Sequence, residues 1–175
     1  ELGNFAIKHN IPVTQTVMGY STMKKDHSPF VGPIGGLGGK AANNLAKETD
    51  LAICIGTKLA DFTTGSWANF ENPEFKLVSI NIARHDANKH LAEAVIGDAK
   101  VTLTELSNAI GDWKSSDSWH KKSQVELKSW NEYVDKESGP TNQELPSYAH
   151  AVGAIYRNSD PTDIAVTAAG GLVGE

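Results

Sequence analysis

The run Gly35-Gly36-Leu37-Gly38-Gly39-Lys40-Ala41 is where this sequence comes nearest to a recognisable chemical device. Glycines ahead of a helix leave backbone N–H groups free, and the helix dipole favours negative charge there, so such a run invites a phosphate. A Walker A loop, however, needs a glycine five positions before its Gly-Lys pair and Ser or Thr after it; those places hold Ile34 and Ala41. Gly36, Gly38 and Ala41 fit the dinucleotide spacing, yet Pro33 argues against a central strand feeding the turn. Glycines that permit tight loop-to-helix packing are the favoured reading, with nucleotide binding as the alternative.

The other chemically capable residues are scattered. Histidines at 9, 27, 85, 90, 120 and 150 contain no pair at the i, i+4 spacing of a helical zinc site, so no metal-ligating residues are assigned. Asp26-His27, Asp61 and His85-Asp86 fall near expected strand ends, where they read as solvated loop before they read as cleft lining. No nucleophile, base and orienting group assemble from spacing alone, and no catalytic residue is assigned. Cys54 sits in the apolar run Leu51-Ala52-Ile53-Cys54-Ile55 and is expected to behave as a small core hydrophobe.

Composition narrows the partners. Sixteen Lys and Arg against 21 Asp and Glu give a net charge of −5. The charges are dispersed, so no basic face for nucleic acid is expected. No apolar run approaches the roughly 20 residues that span a bilayer, and Glu1 to Asn10 lacks the pattern of a signal peptide. A soluble cytoplasmic protein is expected.

The elements that must position these residues alternate between short apolar runs and helical spacing, which predicts an α/β fold. Leu2, Phe5 and Ala6 share a helical face, and Ile11 to Val17 reads as extended. Ala41, Ala42, Leu45 and Ala46 make a second helical face before strands at Leu51 to Ile55, Lys76 to Ile82 and Ala94 to Ile96. Strands apolar on both faces predict a Rossmann-like parallel sheet with helices on both faces. Asp98 is expected to cap a helix that ends at Gly111. Trp113 to Ser138, with Trp119, Leu127, Trp130 and Val134 on one broad face, reads as a long amphipathic helix. A helix from Pro146 and a strand at Asp163 to Thr167, running into Gly170-Gly171, complete the chain.

Several runs taken together resemble one family: Asp26-His27-Ser28-Pro29, Gly38 to Asn43, Asp50 to Lys58, Asp61-Phe62-Thr63-Thr64-Gly65 and Ile80-Asn81-Ile82. They are similar, in family order over roughly residues 1 to 111, to the central domain of the acetohydroxyacid synthase-like thiamine diphosphate enzymes. Ala60 to Ser66, Asn81 to His90 and Thr167 to Leu172 most resemble the branch formed by the trihydroxycyclohexanedione hydrolases of inositol breakdown. The resemblance implies an organisation of 1–112 as central domain, 113–145 as helical linker and 146–175 as the opening of a diphosphate-binding domain, in a piece of a longer polypeptide. It implies thiamine diphosphate and Mg²⁺ in the intact protein, hydrolysis of a carbon–carbon bond in a cyclic diketone, a small-molecule substrate and a homo-oligomer. The activating glutamate and the metal motif would lie outside this chain, which is therefore expected to be inactive alone. Only Gly170 and Gly171 are candidates for the cofactor's neighbourhood, by close backbone approach. Flavin-binding relatives carry arginines and an extra aspartate where this chain has Lys58, Ala60 and Phe62, so no flavin is expected.

Two other readings remain: another enzyme of the family, such as a carboligase or decarboxylase, and an interaction module presenting Trp119 and Trp130. The family order also places a sheet strand before the helix of Leu2 and Phe5. The strand Asp163 to Thr167 is expected to pair into the resulting gap, within the chain or swapped from a second copy, the alternatives being a retained N-terminal peptide or two half-sheets that close together.

Overall fold

A computed structural model describes residues 1–20, 22–166 and 170. The chain forms two compact units, Glu1–Leu127 and Lys128–Glu175. In the first, the order is α1 (Leu2–His9), β1 (Val13–Gln15), β2 (Phe30–Pro33), α2 (Lys40–Glu48), β3 (Leu51–Ile55), α3 (Asp61–Thr64), β4 (Lys76–Asn81), α4 (Arg84–Ala87), β5 (Glu93–Ile96) and α5 (Ala99–Ile110). The long α6 (Asp117–Glu137) follows, and α7 (Tyr148–Asn158) belongs to the second unit.

Every strand pairing is parallel, as the alternation of apolar runs and helices predicts, but the strands form two sheets rather than one. One holds β1 and β2; the other has the order β3-β4-β5. β4 is the central strand, with Leu77, Ser79, Ile80 and Asn81 buried. β3 was expected to be buried on both faces. It has β4 as its one neighbour, so Leu51 is exposed and Ala52 to Ile55 are half-buried. The extended run expected from Ile11 to Val17 shortens to Val13–Gln15, because Thr16 accepts a hydrogen bond from the N–H of Gly19 at 3.0 Å and starts a single 3-10 turn at Val17–Gly19.

Sequence reasoning missed β2. Its Pro33 is the last residue of a strand in a two-stranded sheet, where a missing N–H costs no ladder bond, and the chain takes the ladder up again with Ile34 N–H donating to Gln15 C=O at 2.9 Å. A strand does therefore feed the glycine run directly.

α2 buries Ala41, Ala42, Leu45 and Ala46, and Ala42 and Ala46 pack with Ile34 and Phe70. Small side chains on that stripe let the helix lie close to β2. The N-cap of α5 is Asp98, whose carboxylate accepts from the N–H groups of Lys100 at 2.9 Å and Val101 at 3.0 Å, and the helix stops at Gly111 in a positive-φ conformation. α7 opens on a capping box between Ser147 and His150.

The strand expected at Asp163 to Thr167 is not formed over residues 163–166. Ile164 and Val166 are exposed, and neither sheet includes the segment. A strand exists only where a neighbour answers its N–H and C=O groups, and no described residue pairs with these as a strand. The expected pairing within the chain is not formed over residues 163–166; Thr167 lies outside the described residues.

Candidate functional site

The carboxyl ends of β2, β3 and β4 lead into the loops 34–39, 56–60 and 82–83, with Asp61 just after the second and His85-Asp86 just after the third. In parallel α/β sheets such loops are where ligands are usually held. The first of them is the glycine run, and its hydrogen bonds decide what it does.

Gly35 donates its N–H to Asn43 Oδ1 at 2.9 Å and accepts Asn43 Nδ2 on its carbonyl at 3.0 Å. Gly36 N–H donates to Phe62 C=O at 2.7 Å, Gly38 N–H to Gly35 C=O at 2.9 Å, and Gly39 N–H to Pro33 C=O at 2.8 Å. The N–H groups of Gly35, Gly36, Gly38 and Gly39 are thus spent inside the protein. Gly35 has φ +112°, and a Cβ there would run into the Phe62 backbone; a Cβ on Gly38 would sit 2.5 Å from the Ile34 carbonyl carbon. These glycines exist so that backbone can cross backbone, which is the packing reading of the sequence. Asn69 Nδ2 joins from the loop after α3, donating to Asn43 Oδ1 at 3.3 Å. This Asn43–Asn69 brace was not foreseen: an asparagine inside a helical pattern gives no sign in sequence that it answers a loop eight residues earlier.

The second and third loops are joined to each other. Asn81, buried at the end of β4, donates from Nδ2 to Thr57 C=O at 3.1 Å and accepts the Ala83 N–H on Oδ1 at 2.9 Å. Gly56 N–H donates to Ile80 C=O at 2.9 Å.

The remaining candidates do not converge. Asp26 is exposed. His27 packs its ring on Gly3 of α1, so closely that no side chain fits there. Asp61 is exposed and accepts from the Ser66 hydroxyl at 3.1 Å. His85 is exposed, whereas Asp86 is half-buried against Lys89 Nζ at 2.8 Å. The hydrogen bond from Lys89 holds the Asp86 carboxyl below its usual range. The stability this carboxylate adds is present at neutral pH and lost as pH falls through its depressed value. Cys54 keeps some exposed surface, but burial of its thiol pushes the pKa up to about 12, so it is inert as a nucleophile.

Among the described residues, no group of His, Cys, Asp and Glu could hold a metal ion. Gly170 is exposed and lies in a bend with nothing within 4 Å of the place a Cβ would take. No described residue forms a cradle around it. Gly171 lies outside the described residues.

With that geometry in place, the comparisons are specific. The family pattern described as "Thiamine pyrophosphate enzyme, central domain" matches residues 1–106. A 3D-(3,5/4)-trihydroxycyclohexane-1,2-dione hydrolase from Clostridium perfringens is 32% identical over 197 aligned positions, covering 99% of this chain and 31% of the relative. The enzyme of the same name from Bacillus anthracis is 34% identical, covering 100% of this chain and 31% of its own length. A third, from Bacillus cereus, reaches 46% identity over 110 positions, 63% of this chain. The chain spans about a third of the length of the curated relatives it matches.

Proposed function

The chain belongs to the thiamine pyrophosphate enzymes, as their central domain, and from that premise we propose that the intact protein hydrolyses a carbon–carbon bond of trihydroxycyclohexane-1,2-dione and so opens the ring. The observation that carries this reading is the extent of the likeness: hydrolases of that name match at 32–34% identity across 99–100% of the chain, well past the residues the family pattern covers.

In this reading residues 1–112 form the central domain, 113–145 the helical linker and 146–175 the beginning of the diphosphate-binding domain. Thiamine diphosphate and Mg²⁺ serve the intact protein; the cofactor acts as the electron sink for the bond cleavage. The residues described here do not build a site for either group, since they include no metal-holding cluster and Gly170 stands in open space. The role of this chain is architectural. Gly170 and Gly171 are its two residues proposed to come near the diphosphate, through their backbone. No helix among the described residues is long and apolar enough to cross a membrane, which is in keeping with a cytoplasmic enzyme acting on a small molecule. We take it to be a homo-oligomer that binds no nucleic acid, in line with its net charge of −5.

The test uses the intact protein, freed of cofactor by dialysis against chelator and assayed on the cyclic dione. Ring opening should require both thiamine diphosphate and Mg²⁺. Full activity without them, or turnover of pyruvate in place of the dione, overturns the reading.

A further inference from the structure

We draw no further inference here: the strongest candidate, the apolar groove between α5 and the β4–β5 face of the second sheet, lined by Val78, Ile80, Val95, Leu106 and Ala109, carries nothing, because nothing among the described residues shows what covers it.

Discussion

At the scale of single residues, the glycine run shows how one sequence pattern supports opposite chemistries until its hydrogen bonds are known. Gly35 is buried with φ +112° and its Cβ position blocked by the Phe62 backbone, whereas Gly36 is exposed and a Cβ there would meet the Phe62 ring at an ordinary 3.6 Å. Gly35→Ala should therefore cost roughly 2 to 4 kcal/mol, strain and overpacking together, and Gly36→Ala within about 0.5 kcal/mol. Denaturant midpoints of the two variants decide the matter; equal losses would return the run to a ligand-binding reading. Cys54 gives a second check. With its pKa pushed up to about 12, only on the order of one molecule in ten thousand carries a thiolate at pH 8, so iodoacetamide should modify the native protein far more slowly than the denatured one. Comparable rates in both states would mean that the thiol is not enclosed.

At the scale of elements, β3, β4 and β5 fall within one residue of their expected bounds, whereas the run expected from Ile11 to Val17 shortens to Val13–Gln15 and α6 begins four residues after Trp113. α2, α5 and α7 begin within one or two residues of the expected positions; the Asp98 cap of α5 and the Pro146 that precedes α7 are local chemistry that a sequence displays directly. β2 was hidden because Pro33 reads as a strand breaker unless one knows that the strand ends there in a two-stranded sheet. The second unit rests on a close approach of α7 to the end of α6. Gly153 is buried against the Ser138 carbonyl so tightly that a Cβ would overlap it, and Arg157 Nη1 donates to the same oxygen. Gly153→Ala should destabilise residues 128–158 by about 1 to 3 kcal/mol and speed their proteolysis while leaving the first unit intact. Limited proteolysis with mass spectrometry reads this; an unchanged cleavage pattern would count against the contact.

At the scale of the whole molecule, this chain spans about a third of the length of the relatives it matches. One expectation concerns the accessory cofactor that some members of the family hold. The donors of Gly35, Gly36, Gly38 and Gly39 are internally satisfied, and Lys58, Ala60 and Phe62 are the residues on which the family resemblance implies no flavin. The purified intact protein should then show no stoichiometric flavin absorbance near the visible range, and a yellow, flavin-loaded preparation would refute this. The α/β class, the parallel strands, the helix caps and the family itself were all legible in sequence, because each rests on local periodicity or on a run of adjacent residues. Only the tertiary structure decided that the sheet divides in two, that β3 is an edge, that residues 163–166 form no strand, and that His9 is buried on Trp113 and Ser107. Those outcomes depend on which distant backbone groups and side chains meet, some across about a hundred residues. No local pattern records the partner that answers a strand's edge or a buried ring nitrogen.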